Sequence, residues 1–268
     1  MRALGELLLY IRCEAAKLRR KPLFGVLAAS SVLLPLAFAF FLADPPDSRT
    51  AVIQTMASLI QLSAYVVLIP AVAVLAANLL FEEQDSDTLK NLCCVPVDRA
   101  ALAVAKLLLL LGFSVLFMAV GGLVNLVILL VQGWAPIGYW KLLGVCLVQG
   151  VLMWSGALPC VLLVVALNKS TILSVIITFF YTVANYITLM IPSLSTMPLG
   201  LNAGTLLPGA LSLRWYSPFL SRSAASEPPL VQQLLAHAIS TPTALGIAAA
   251  EAVVFIFLIA LVYRRREP

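Results

Sequence analysis

Apolar and polar positions alternate along this chain at two scales. In residues 3–20 the apolar side chains Leu4, Leu7, Leu8, Ile11, Ala15 and Leu18 recur at the spacing of one helix face. Arg2, Glu6, Arg12, Glu14, Lys17, Arg19 and Arg20 fill the remaining positions. Residues 1–22 therefore read as an amphipathic helix that lies in a headgroup layer and turns at Lys21-Pro22. Beyond it the polar residues retreat into short connectors. Leu23–Leu42 is a first uncharged stretch, long enough at ~1.5 Å per residue to cross a hydrocarbon core of ~30 Å. Its basic lead and its length both exceed those of a signal peptide, so an uncleaved span is expected.

Five more spans follow by the same reasoning. After the polar turn Asp44-Pro45-Pro46-Asp47, the second lies within Gln54–Phe81, with a kink expected at Pro70. Leu102–Val131 is the third and Leu142–Leu167 the fourth. Between them Gly133-Trp134-Ala135-Pro136, with Tyr139 and Trp140, reads as a turn flanked by interfacial aromatics. Asn168-Lys169-Ser170 leads into the fifth span, Thr171–Ile191, and Ala244–Tyr263 is the sixth, closed by Arg264-Arg265-Arg266. Residues 192–241 are too many for a structureless connector. Pro192, Pro198, Pro208 and Pro218 cut the stretch into apolar pieces too short to cross, suited to re-entrant or interfacial helices. Ser226-Glu227-Pro228-Pro229 then looks like a helix start.

Composition supports one all-α membrane domain over residues 1–268. The chain is 62% hydrophobic and 11% charged, against ~25% charged for a soluble domain. Its net charge of +5 does not point to nucleic acid, because the basic residues gather at span ends. Thirteen of the seventeen fall on one side once the N-terminus is placed inside, leaving Arg49, Lys141, Arg214 and Arg222 outside. The positive-inside rule then puts both termini in the cytosol. None of the five cysteines falls on an expected external loop, and adjacent Cys93 and Cys94 with a single histidine, His237, make no zinc pattern. That lone histidine also removes most acid–base and metal schemes, so no enzyme is expected.

One connector stands apart. Glu82–Arg99 carries five of the twelve carboxylates in eighteen residues, and the orientation places it in the cytosol. Asp85 or Ser86 can cap a helix there, with Asp87 in the first turn. Leu89, Leu92 and Cys93 then share a face, flanked by charges, before Pro96 ends the helix. Such a ridge fits a groove on a partner protein. Spacing alone leaves open whether it packs on the chain's own spans instead.

The run Glu82-Glu83-Gln84-Asp85-Ser86-Asp87-Thr88-Leu89-Lys90, followed by Val95-Pro96-Val97-Asp98-Arg99, resembles the acidic-to-Pro-to-Arg segment of type-2 ABC exporter permeases. It is most similar to permeases that export lantibiotics and bacitracin-like peptides in Gram-positive bacteria. Asp87 stands where such families often carry Gly, and Asp98 where they carry Ser. The resemblance implies a six-span subunit of a bacterial plasma membrane that conveys antimicrobial peptides outward. It implies that Glu82, Glu83, Asp85, Asp87, Leu89, Lys90, Leu92 and Arg99 form a coupling helix on a cytosolic ABC ATPase, which binds the ATP and magnesium. A second permease copy or paralogue completes the assembly. The chain itself has no G-x-x-x-x-G-K-[S/T] loop, so ATP-driven work needs a separate nucleotide-binding chain.

Within the spans Glu251 is the exceptional residue, a carboxylate ~12 Å into the sixth span, where its charge costs ~3 kcal/mol or more. A polar partner is expected from Gln149, Asn125 or Asn185 on other spans. It reads either as a substrate-contacting or gating group or as a protonated tie between helices. Asn78, Asn125, Gln149 and Asn185 read first as helix–helix ties. Trp134, Trp140, Trp215 and Tyr216 read as interfacial anchors, with Trp215-Tyr216 beside Arg214 alternatively part of an outer gate. Two other readings stay open: a membrane sensor or scaffold docking a partner without transport, and, within the same class, an ABC permease for lipid, drug or polysaccharide.

Overall fold

The computed structural model describes residues 2–41, 45–85, 99–167, 171–221 and 228–265, and among them the chain forms helices and no strand. Arg2–Arg19 (α1) is followed by Pro22–Phe41 (α2). Ser48–Ala57 (α3), a π-helical segment at Ser58–Leu68 and Ile69–Asp85 (α4) run on without a break. Arg99–Val131 (α5) and Tyr139–Leu167 (α6) form a long hairpin, and Thr171–Leu189 (α7) returns alongside. Short helices Pro192–Ser195 (α8), Ala203–Leu206 (α9), Pro208–Leu220 (α10) and Pro229–Ala236 (α11) precede Thr241–Arg265 (α12). Among the described residues five helices are long and apolar enough to cross a membrane: Pro22–Ala39, Ser48–Leu80, Ala100–Val131, Tyr139–Leu167 and Thr241–Tyr263. Leu173–Leu189 is a shorter apolar helix.

The long helices divide into inner and outer members. Two thirds of the apolar windows of Ser48–Leu80 and Tyr139–Leu167 are buried (67% each), against 11% of α2 and 17% of α12. The outer helices therefore turn apolar surface away from the protein, the reverse of a soluble fold, as lipid contact requires. Helix α7 shows the inversion residue by residue. Ser174, Thr178, Thr182, Asn185 and Thr188 are buried at spacings of four, four, three and three, while Val175, Ile176, Phe179, Phe180, Val183 and Ile187 are exposed.

Local chemistry explains the element ends. Asp47 caps α3 by accepting the Thr50 N–H at 2.9 Å. After α5, Trp134 N–H reaches Leu129 C=O and Gly133 N–H reaches Leu130 C=O, a Schellman closure that needs the positive φ of 79° at Gly133. Gly138, with φ of 71°, makes the second reversal before α6.

At Pro70 the regular hydrogen-bond ladder changes, and two other expectations are corrected by the geometry. Proline lacks an N–H and its ring crowds the carbonyl four residues back; the chain meets this with the wider π turns before it, where Ile69 N–H bonds Ala64 C=O five residues earlier. Pro218 does not divide the 192–241 stretch, because α10 runs through it to Leu220. The carbonyl of Arg214, which Pro218 cannot satisfy, accepts the Ile239 N–H at 3.3 Å instead. Tyr139 is not an interfacial anchor: α6 begins with it, it is buried, and its hydroxyl donates to Gly122 C=O. Its neighbour Trp140 is 73% exposed.

Helices α5 and α6 cross at Gly150, where an added Cβ would meet Ser114 O and Val115 Cα at 2.9 Å, both main-chain atoms that cannot step aside. Gly150→Val is expected to lower stability by ~1–3 kcal/mol through overpacking, read as a lower thermal unfolding midpoint in detergent. Gly144→Ala, on the same helix with nothing within 4 Å of its Cβ, should leave that midpoint unchanged or slightly raised.

Candidate functional site

Two polar clusters stand out. The first lies where the chain enters and leaves the charged connector. Helix α4 continues through Glu82 and Glu83 to Asp85, four residues into the connector, and Arg99 opens α5. The side chains of Glu82, Glu83, Asp85 and Arg99 lie outside the described residues, as do residues 86–98 with Asp87, Leu89, Lys90 and Leu92. Just inside the bundle, α5 carries Lys106, which is 1% exposed. Its ammonium donates to Leu79 C=O on α4 and lies 3.7 Å from Glu14 Oε2 on α1. The other carboxylate oxygen, Oε1, takes Lys17 Nζ at 2.6 Å. Glu14 is itself buried although it sits on a helix rich in exposed charges. Three helices thus meet on one buried cation. The signal was present in the sequence: Glu14 falls seven residues after Leu7 and four before Leu18, on the inward face, and Lys106 is a lone cation within the third apolar stretch.

The second cluster is built around the π-helical segment and α10. Helix α10 is buried along Pro208–Ser212 and Arg214–Ser217. Tyr65 of the π segment reaches Pro208 C=O and Gly209 C=O, each at 3.4 Å. Ser212 donates to Gln149 Oε1 of α6 at 2.7 Å, and Gln149 Nε2 points to Ile60 C=O at 3.5 Å. Gly209 is pressed against Asn185 and Thr188 of α7, and Gly156 of α6 against Pro208, with no room for a Cβ at either contact. One turn further along α10, Tyr216 is buried with Gln61, Tyr65 and Tyr186 around it, and its hydroxyl makes no hydrogen bond of normal geometry, although the Gln61 side chain is close enough to interact with it. Ser217 Oγ and Asn185 Oδ1 are buried without a hydrogen-bond partner. Buried polar atoms are nearly always satisfied, so their grouping marks this seam.

Trp215 and Tyr216 are therefore interior residues, at 1% and 2% exposure, not anchors in an interface. Trp215 Nε1 donates to Thr241 Oγ1 at 3.0 Å and so ties α10 to the start of α12. Arg214, also buried, donates from Nε to His237 C=O at 3.1 Å and from Nη1 to Gly204 C=O at 3.2 Å, binding α9 and the end of α11 to α10.

Glu251 does not meet the partners expected for it. Gln149 is taken by Ile60 and Ser212, Asn125 Nδ2 by Thr55 C=O at 2.9 Å, and Asn185 Nδ2 by Tyr181 C=O at 3.0 Å. Glu251 Oε1 is buried without a hydrogen-bond partner, with Tyr181 within electrostatic reach. Of the four span amides, Asn125 and Gln149 join different helices, whereas Asn78 and Asn185 fold back on their own. Among the described residues no group of three His, Cys, Asp or Glu is gathered for a metal ion.

An all-α bundle whose outer helices turn apolar faces outward has the architecture of a membrane-embedded protein. Residues 10–185 match the model of the ABC-2 family transporter proteins. The chain belongs to that family, whose members are permeases embedded in the membrane and served by an ABC ATPase partner. No curated protein matches it.

The seam makes a discriminating pair of variants. Tyr216→Phe removes a hydroxyl that makes no hydrogen bond of normal geometry and is expected to leave thermal stability unchanged or raise it by ~1 kcal/mol. Ser212→Ala strips Gln149 Oε1 of its donor and should cost ~1–2 kcal/mol, both read from unfolding midpoints of the purified protein.

Proposed function

We propose that this chain is the membrane-spanning permease of an ATP-driven exporter that moves a hydrophobic or cationic antimicrobial peptide, lantibiotic- or bacitracin-like, out of a bacterial plasma membrane for self-protection. Glu82–Arg99 docks on the cytosolic ATPase, which holds ATP and magnesium, through the Leu89 and Leu92 ridge and its flanking Glu82, Glu83, Asp85, Asp87, Lys90 and Arg99. Both termini face the cytosol, α1 lies in the headgroup layer, and a second permease copy or paralogue completes the transporter. The single observation that carries this reading is the family match over residues 10–185, which spans the charged connector and both helices that frame it. Exposed Leu8 and Leu9 on α1 support its place at a lipid surface.

ATP-driven movement of the connector rocks α4 and α5, and the seam between the π segment and α10 opens toward the outside. Trp215 and Tyr216 shape that exit. Glu251, a partly exposed carboxyl with a buried oxygen that has no hydrogen-bond partner among the described residues, offers an acceptor to a cationic or hydrogen-bonding group of the cargo.

Affinity purification of the tagged chain from its own cells is expected to bring down an ABC ATPase, and Leu89→Asp with Leu92→Asp to release it and abolish ATP hydrolysis in the complex. Absence of any ATPase, or hydrolysis that survives the double substitution, overturns the docking role. Glu251→Gln is expected to lower protection of the cells against bacitracin-type peptides by about tenfold, a loss of ~1.4 kcal/mol, with expression and ATPase recovery unchanged. Unaltered protection would reduce Glu251 to a structural group.

A further inference from the structure

Lys106 is costly where it stands. A buried ion pair gains little over an apolar pair of similar volume, and replacing one is often neutral or stabilising. Stability alone does not explain a cation buried to 1% within the long apolar run of α5. Its contacts give another reason. Lys106 lies seven residues after Arg99, where the chain leaves the connector; its acceptor Leu79 lies three residues before Glu82, where the chain enters it. One ammonium therefore joins both ends of the connector across α4 and α5, and through Glu14 it adds α1 to the same joint.

The joint is also adjustable. Glu14 divides its carboxylate between buried Lys106 at 3.7 Å and half-exposed Lys17 at 2.6 Å. The closer bond lies on α1 itself and the longer one spans two helices, so Glu14 can follow α1 while the Lys106 contact lengthens or shortens.

We propose that Lys106 is a positioning residue that makes α1, α4 and α5 a single lever, so that displacement of the 82–99 connector reaches the α6–α10 seam. This rests on the docking of the connector to an ATPase. Without the joint the ATPase still turns over, but its stroke is absorbed by independent sliding of α4 past α5.

The test uses the intact permease–ATPase complex in nanodiscs, with Mg-ATP and vanadate to trap the closed ATPase. Amide hydrogen exchange is read over residues 139–221. In the wild type, trapping is expected to change exchange across this region. Lys106→Met keeps the side-chain stem and is expected to cut the exchange response at least about fivefold with ATP hydrolysis within about twofold; because it leaves the buried Glu14 carboxylate with Lys17 alone, it should lower the unfolding midpoint, and the double variant Lys106→Met with Glu14→Gln should bring that midpoint back toward the wild type. Glu14→Gln weakens the same joint and should give an intermediate response. A Lys106→Met complex that retains the wild-type exchange response overturns the proposal. So does loss of assembly in both variants, which would make the pair structural only. A wild-type complex that binds no ATPase, or shows no response to trapping, refutes the docking reading instead and is told apart by that control.

Discussion

Where water is absent, a helix has already spent its own amide donors, but each of its carbonyls keeps a second lone pair. This protein uses that spare acceptor repeatedly. Ser114 donates to Gly150 C=O at 2.6 Å, Trp154 to Leu107 C=O at 3.0 Å, Ser155 to Ala248 C=O at 2.8 Å and Asn125 to Thr55 C=O at 2.9 Å. Tyr139 adds another between α5 and α6, and Tyr181, Tyr65 and Lys106 do the same at other helix pairs. Each bond is worth little, ~0.6 kcal/mol on average inside a membrane, but it sets the register of two helices that apolar packing alone lets slide. The bundle is thus a set of apolar rods registered by single polar stitches.

The functional regions are the places where this pattern changes. Around α10 the stitches are long, as at Tyr65, or fall between side chains, as at Ser212–Gln149, and several buried polar atoms have no partner. A seam of that kind is held closed weakly, and the groups orphaned in one arrangement are available to water or cargo in another. The π segment on one side of it is itself a departure from regular helix, of a sort often found at functional sites. On the far side of α10, Arg214 and Trp215 are fully engaged and hold α9, α10, α11 and the start of α12 together. Near the connector the stitch is again made by a charge, the Lys106 ammonium, which brings α1, α4 and α5 together.

Much of the architecture was legible. Uncharged stretches located the long helices to within a few residues, and the prolines of 192–241 announced short helices there. What failed did so for physical reasons. The burial of Trp215, Tyr216 and Tyr139 is a tertiary outcome, since an aromatic on a helix has the same local sequence whether it meets headgroups or a neighbouring helix. Partners for Glu251 were inferred from polarity, but Gln149 and Asn125 were already committed to main-chain carbonyls on other helices. Two further signals stand in the sequence itself: the polar stripe Ser174, Thr178, Thr182, Asn185 and Thr188, and the inward register of Glu14 together with a lone Lys106. Both show as helical periodicity of polar residues, the inverse of the usual pattern.

The central claim is that energy enters this permease through the 82–99 connector. Cys93 and Cys94 lie within that connector and permit a direct check once Cys13, Cys146 and Cys160 are replaced. A thiol-anchored photocrosslinker on either cysteine, activated in native membranes, should join the chain to an ABC ATPase subunit. Labelling of Cys93 and Cys94 that yields adducts only with lipid or with a second permease, and none with an ATPase, would contradict it.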